Sequence, residues 1–106
     1  DVLEMALIEN LQREDLNPME EAEAYQRLSK DFNLTQEEIA RRVGKNRATV
    51  ANTIRLLELA PGVAKMVEQG RISTGHAKVI LGLKHHSLQE LIADQVIKKR
   101  SYRSQH

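Results

Sequence analysis

The sequence contains no cysteine, which excludes a disulfide framework, a thiolate metal site and a cysteine nucleophile. Its hydrophobic runs are only a few residues long, far shorter than a membrane-spanning helix needs. Aromatic residues make up only 3% of the chain, so the core has to be built from leucine, isoleucine, valine and alanine. No segment alternates polar and β-branched residues with a period of two, so no sheet is predicted. This composition favours packed helices.

The chain has 106 residues, enough for one small domain or for part of a larger protein. No basic and apolar signal leads it, and Asp1 opens directly into helical sequence. We therefore expect a segment of a longer cytoplasmic protein that has no contact with a membrane.

The net charge of +1 conceals a division of sign along the chain. Residues 1–38 carry 11 acidic and 3 basic side chains, a net of −8, whereas residues 39–106 carry 13 basic and 4 acidic ones, a net of +9. A basic half is typical of a surface that faces a polyanion such as DNA. A solvated surface with chance clustering of charge is the alternative.

Capping residues and apolar periodicity predict an all-α fold of about seven short helices with a central helix-turn-helix. Asn17 and Pro18 open the second helix, whose buried stripe is expected to be Ala22, Tyr25 and Leu28. Thr35 to Glu38 and Ser87 to Glu90 both read as capping boxes. The expected helices cover residues 2–14, 17–31, 35–43, 46–58, 73–83 and from 87 onwards, with a short fifth helix bracketed by Pro61 and Gly70.

Residues 35–58 show the pattern of a helix-turn-helix: a two-turn helix, a turn at Gly44, and a second helix capped by Asn46. Its apolar stripe is Val50, Ile54 and Leu57. Because the start of the second helix enters the major groove in this motif, an arginine there can bind guanine and an asparagine adenine. An ordinary helical hairpin with a solvated basic face is the alternative. The candidate DNA-contacting residues in this segment are Thr35, Gln36, Lys45, Asn46, Arg47, Thr49, Asn52, Thr53 and Arg55.

Two further segments are candidates for phosphate contact. Gly75 and His76 lie at the start of the sixth helix, where free backbone N–H groups favour an anion. His76 either donates to a phosphate or packs in the core. The basic run at residues 98–103 either contacts DNA or complements the dipole at a helix end. The histidines have no acid or cysteine placed to complete a zinc site, so no metal is predicted.

Several motifs in order resemble the ParB family of chromosome- and plasmid-partition proteins and their nucleoid-occlusion relative Noc. They are ALIENLQREDLNP at 6–18, EEA at 20–22 with Tyr25, LTQEEIA at 34–40, VGKNR at 43–47, VANTIRLL at 50–57 and GRISTGHA at 70–77. The resemblance covers nearly the whole chain. It implies that residues 1–16 are the edge of an N-terminal CTP-binding domain and that residues 17–106 are a helical DNA-binding domain.

The resemblance also implies a nucleotide-binding role for the first helix. Asn10 and Arg13 would help to hold CTP and Mg²⁺ in the parent protein, Gln12 belongs to the same element, and Glu9 would matter for hydrolysis. The family's Gly-Glu-Arg-Arg element is not in this sequence. We therefore expect no cofactor and no enzymatic activity in this fragment, although the parent would be a CTPase. From the residues alone, Glu9 and Arg13 form an ordinary i, i+4 ion pair.

The family implies the DNA site and the partners. Partition members bind a centromere-like inverted repeat of the parS type, and Arg47, Thr53 and Gly75 resemble that branch rather than the nucleoid-occlusion branch. The implied partners are double-stranded DNA, a second copy of the chain at least on DNA, and a ParA-type ATPase, on the nucleoid in the cytoplasm. A Noc-like DNA binder or ParB-like transcription regulator is the first alternative, and a CTPase or nuclease module the second.

Overall fold

The computed structural model describes residues 2–13 and 15–104, and for residues 100–104 it describes the backbone alone. The described residues form seven α-helices and one short 3₁₀ helix, and they include no strand. The all-α prediction is therefore confirmed, and none of these helices has the length and apolar character needed to cross a membrane. The helices are α1 (Val2–Leu11), α2 (Pro18–Asp31), α3 (Gln36–Val43), α4 (Arg47–Arg55), α5 (Pro61–Glu68), α6 (Thr74–Ile80) and α7 (His86–Ser104), and the 3₁₀ helix is Leu56–Glu58.

The chain divides into two compact units, one ending at Leu57 and the other beginning at Glu58. In the first unit, α2 packs against α4 and α3, α3 packs against α4, and α1 packs against α2 and α3. The predicted stripe of Ala22, Tyr25 and Leu28 is confirmed, since each of these side chains is at most 1% exposed. They share the core with Ile39 and Val50, which are fully buried.

The apolar face of α1 completes this core only in part. Leu7, Ile8 and Leu11 pack against it while remaining half-buried. Val2 and Met5, by contrast, are 83% and 63% exposed. The apolar contacts of α1 with this core therefore come from its C-terminal half.

The second unit packs α5, α6 and α7 around a small aliphatic core. Val63, Ala77 and Ala93 are completely buried there. Gln89, on α7, is also buried at 3% exposure: its side-chain oxygen accepts from the Ala60 N–H at 2.8 Å, and its amide donates to the Leu83 carbonyl at 3.0 Å. The Gln89 amide stabilises this unit because it gives hydrogen-bond partners to two backbone groups that would otherwise have none.

Several predicted helix ends are wrong by a few residues. The first helix ends at Leu11 because the next two N–H groups bond three residues back, to Glu9 and Asn10, which tightens the last turn. The fourth ends at Arg55 and continues as the 3₁₀ helix, and the sixth ends at Ile80, whereas the fifth lies between Pro61 and Gly70 as predicted.

The second predicted capping box is also wrong. The seventh helix already includes His86, so Ser87 lies inside it, and the N–H of Gln89 bonds to the His85 carbonyl. In a capping box the residue at position 90 would reach back to position 87, which requires Ser87 to precede the helix.

Candidate nucleic-acid interface

The turn between α3 and α4 is built from local backbone bonds. Thr35 and Glu38 form the predicted capping box, in which the Thr35 hydroxyl accepts from the Glu38 N–H and the Glu38 carboxylate accepts from the Thr35 N–H, both at 3.1 Å. These bonds lower the pKa of Glu38. Gly44 ends α3 with φ of 71°, and its N–H and that of Lys45 both bond to the Ala40 carbonyl. A left-handed residue at this position lets the chain reverse into α4.

Asn46 caps α4, and its side-chain oxygen is fully used in doing so. The oxygen accepts from the Thr49 N–H at 2.8 Å and from the Thr49 hydroxyl at 2.9 Å. The Thr53 hydroxyl in turn donates to the Thr49 carbonyl at 2.8 Å. Reading an adenine in bidentate fashion needs the asparagine oxygen as an acceptor. The capping geometry therefore leaves Asn46 as an N–H donor, and the two threonines as methyl groups and acceptors.

The surface of α4 opposite the core is cationic and uninterrupted by large apolar side chains. Val50 is fully buried on the inner face. Ala48 lies exposed between cations on the outer face, and Thr49, Asn52 and Thr53 are half-buried. The exposed cations of this segment are Lys45, Arg47 and Arg55.

The two predicted contacts at the start of α3 have different surroundings. Thr35 is exposed, but its hydroxyl already accepts the Glu38 N–H. Gln36 is half-buried as the first residue of the helix. The structure therefore brings the candidates of residues 35–55 together on one two-helix element.

Lys45 has an intramolecular partner that the sequence analysis missed. Its ammonium lies 2.7 Å from a carboxylate oxygen of Glu21 on α2, and the same oxygen accepts the Tyr25 hydroxyl at 2.6 Å. Burial, with the hydrogen bond to Glu21, raises the pKa of Tyr25 far above its usual value, so the phenol remains a donor. Glu21 and Lys45 are 24 positions apart, so no local sequence pattern indicates that they meet.

A second ion pair joins the helix-turn-helix to α1. Arg42, in the last turn of α3, bonds to Glu4 of α1. Glu4 is 16% exposed, whereas Arg42 is 43% exposed. The acidic first helices thus hold two of the cations that flank the turn.

In the second unit, Gly75 and His76 lie in the first turn of α6, which Ser73 caps. The Ser73 hydroxyl oxygen accepts from the His76 N–H at 3.2 Å and lies 2.8 Å from Nδ1 of the same residue. His76 is exposed, so the interpretation that it packs in the core is wrong. A Cβ atom at position 75 would meet only the Ser73 hydroxyl, at an ordinary distance of 3.7 Å. Nothing within the described part of the chain requires glycine there.

The candidate nucleotide residues lie at the end of α1. Glu9 and Asn10 are exposed on the helix, whereas Gln12 and Arg13 follow it. The Arg13 guanidinium bonds to Asn10 at 3.3 Å and lies 3.6 Å from the Asp15 carboxylate. The i, i+4 pair with Glu9 does not form among these described residues because the helix ends at Leu11. Arg13 is the single cation among these four residues, and it already pairs with Asp15. A triphosphate needs more hydrogen-bond donors than this, so these residues do not by themselves fit CTP.

The histidines and the basic run are the remaining features of the sequence analysis. Among the described side chains, no three His, Cys, Asp or Glu groups come together as a metal site requires. In the basic run, Lys98 and Lys99 are exposed on α7, and the side chains of residues 100–103 lie outside those that the structure describes.

Comparison with known proteins places this geometry in a family. The family model of the ParB HTH domain matches residues 14–104. The chain belongs to the ParB HTH domain family. It is 53% identical over 97 residues to the chromosome-partitioning protein ParB of Myxococcus xanthus and 48% identical over 94 residues to the stage 0 sporulation protein J of Bacillus subtilis. These matches cover 92% and 89% of this chain, which spans about a third of each relative, 33% in both cases.

Solved ParB structures share the fold. The C-terminally truncated ParB of Caulobacter crescentus, complexed to the centromeric parS site, matches with a TM-score of 0.85 and 43% identity, covering 92% of this chain and 51% of that one. The same truncated protein complexed with CTP-gamma-S matches with a TM-score of 0.63 and 44% identity, covering 91% of this chain and 52% of that one. The resemblance to ParB drawn from the sequence motifs is confirmed.

Proposed function

We propose that this ParB HTH domain binds duplex DNA in a sequence-specific manner at a centromere-like inverted repeat of the parS type. The observation that carries the proposal is the capped α3–turn–α4 element, whose exposed face is polar and cationic while its inner face is buried. The likeness to a ParB solved on the parS site supports the same reading. In chromosome or plasmid partition, such binding marks the DNA to be moved.

Base contacts are assigned to the start of α4, which enters the major groove in this motif. Arg47 is the first residue of the helix and exposed, so it binds guanine through two parallel hydrogen bonds. Asn46 donates N–H groups to an acceptor, such as a guanine edge or a phosphate. Thr49 and Thr53 contribute methyl groups, which suit the methyl of thymine.

Phosphate contacts surround these base contacts and fix the docking register. Lys45 lies before α4 and Arg55 ends it, while Asn52 lies between them on the same helix. Thr35 caps α3 and Gln36 begins it, and the start of a helix is a position that favours a phosphate. Each of these contacts stabilises the complex for any sequence and weakens with salt.

Gly75 and His76 are proposed as a backbone contact from the second unit. Since neither space nor an unusual φ requires glycine at position 75, close approach of an external group explains it best. His76 is exposed beside it and can donate to the same phosphate.

The wider role belongs to the longer protein of which this chain is a segment. Two copies would bind the two half-sites, so a homodimer forms at least on DNA. Residues 1–16 would belong to a domain that binds CTP and Mg²⁺ and closes as a clamp, and residues 17–106 to the DNA-binding domain. A ParA-type ATPase would act on the parent at the nucleoid, in the cytoplasm. We expect no CTP hydrolysis from this chain itself, although Glu9 would serve it in the parent.

Fluorescence anisotropy tests the proposal with a parS-type repeat, a scrambled duplex and a nucleoid-occlusion repeat, each across a salt series. We expect a clear preference for the parS-type repeat. Arg47→Ala should lose about 1–3 kcal/mol of binding on that repeat and much less on the scrambled duplex. Lys30→Ala, which removes an exposed cation from α2, is the matched control for charge.

Equal binding to all three duplexes would mean that the helix-turn-helix contacts phosphates without distinguishing the base sequence, and it would refute the proposal. A preference for the nucleoid-occlusion repeat would favour the Noc-like alternative instead. Measurable CTP turnover by the purified chain would contradict the assignment as a non-enzymatic domain.

A further inference from the structure

The carboxylate of Glu21 is held in one place by a group from α2 and a group from the turn between α3 and α4. The Tyr25 hydroxyl, on a side chain only 1% exposed, donates to it from the core, and the Lys45 ammonium bonds to the same oxygen from the surface. Glu21 itself is 18% exposed, whereas Lys45 is 44% exposed. The Glu21 carboxylate is therefore fixed by a buried group, while the Lys45 ammonium remains accessible to solvent.

This arrangement changes what Lys45 can do. A lysine ammonium has three N–H donors, of which Glu21 uses one. At a distance, the negative charge of Glu21 cancels the attraction of Lys45 for a phosphate. When a phosphate touches the Lys45 ammonium, the two remaining N–H donors are already held in place near the start of α4. Little side-chain freedom is therefore lost when they bond to that phosphate.

We propose that Glu21 is a specificity-determining residue that acts through Lys45. It suppresses the attraction of Lys45 to arbitrary duplex DNA, and it positions the ammonium for the phosphate that a correctly docked site presents. The inference rests on the function proposed above and names a residue of the acidic α2, not of the helix-turn-helix, as part of DNA discrimination.

Glu21→Gln tests this directly, because glutamine keeps an oxygen for the Tyr25 hydroxyl but removes the charge. At about 0.1 M salt, we expect affinity for a scrambled duplex to rise about three- to tenfold, with the slope of log K against log salt steeper by up to about 0.9. Affinity for the parS-type repeat should rise much less, so the specificity ratio falls. Glu23→Gln removes the same charge from an exposed position on α2 and should leave the ratio unchanged.

The double variant Glu21→Gln, Lys45→Ala shows whether the effect passes through Lys45. In the Lys45→Ala background, the glutamine substitution removes only a general repulsion of phosphates, so it should raise affinity for both duplexes by the same factor and leave the specificity ratio unchanged. Lys45→Ala alone keeps the carboxylate and should weaken binding to the parS-type repeat more than binding to the scrambled duplex. This second variant keeps the inference testable even where Glu21→Gln fails to fold, which circular dichroism would show.

Equal falls in the specificity ratio in Glu21→Gln and Glu23→Gln, or a fall that persists without Lys45, would overturn the inference. So would equal losses on both duplexes in Lys45→Ala. The proposed function fails differently, through an unmodified chain that shows no preference for the repeat. In that case, the scrambled-duplex arm still measures whether Glu21 restrains Lys45.

Discussion

Asn46→Asp separates the two roles of Asn46, which caps α4 and is proposed to contact DNA. Aspartate offers the same acceptor oxygen to the N–H and hydroxyl of Thr49, and the two residues are about equally good N-caps. Its charge also interacts favourably with the helix dipole, by about 0.3–1 kcal/mol at an exposed site. We therefore expect the free energy of unfolding to stay equal or to rise by up to about 1 kcal/mol.

DNA binding should change in the opposite direction. The substitution removes the N–H donors of Asn46 and places a negative charge against the phosphates, so we expect the affinity for the parS-type repeat to fall at least about tenfold, a loss of about 1.4 kcal/mol or more. Urea unfolding followed by circular dichroism measures the first effect, and fluorescence anisotropy the second. The chain offers a control in Asn17→Asp, the same change at the cap of α2, which should leave DNA binding unchanged.

Two results would refute this reasoning. A clear loss of stability in Asn46→Asp would mean that the side-chain oxygen is not the cap, since aspartate preserves it. Unchanged DNA affinity would mean that the amide of Asn46 does not face the duplex. Asn46→Ala should lose both functions, with about 0.5–2 kcal/mol of stability lost.

Three further predictions follow from the glycines, Gln89 and Tyr25. Gly44→Ala should destabilise the fold by about 1 kcal/mol because its φ is 71°, whereas Gly75→Ala should leave the melting temperature unchanged and weaken DNA binding. Gln89→Leu should cost about 1–3 kcal/mol in urea unfolding, because the buried Ala60 N–H loses its acceptor. The raised pKa of Tyr25 contributes stability below its ordinary pKa of 10.0 that is lost as pH rises above it. Tyr25→Phe should therefore flatten the fall in stability across that range, although it removes one hydrogen bond.

The sequence was sufficient to predict those features that depend on neighbours within one or two turns. Helix caps at Asn17, Thr35 and Asn46 form as expected because each side chain bonds to a backbone group two or three residues away. The buried stripe of α2 follows from its period in the same way. Local rules also placed the turn at Gly44 correctly.

Features that join distant parts of the chain could not be predicted in this way. The bond between Lys45 and Glu21 depends on how α2 packs against the helix-turn-helix, and nothing in the spacing of the two residues reveals it. Gln89 looked like part of a capping box, but the backbone groups of Ala60 and Leu83 take both ends of its amide. Tertiary contacts therefore decided the start of α7 against the local pattern.

The acidic first part of the chain has a more specific role than its net charge suggests. Two of its carboxylates, on Glu4 and Glu21, bond to Arg42 at the end of α3 and to Lys45 in the turn that follows. Both carboxylates are largely buried, whereas both cations are about half-exposed. Each cation is therefore neutralised by a carboxylate at a fixed position and not by mobile counterions. Arg47, at the first position of α4, is exposed beyond them. Under the proposed function, such a surface would discriminate between DNA sites because it limits the number of unrestrained cations while keeping Arg47 accessible to bases.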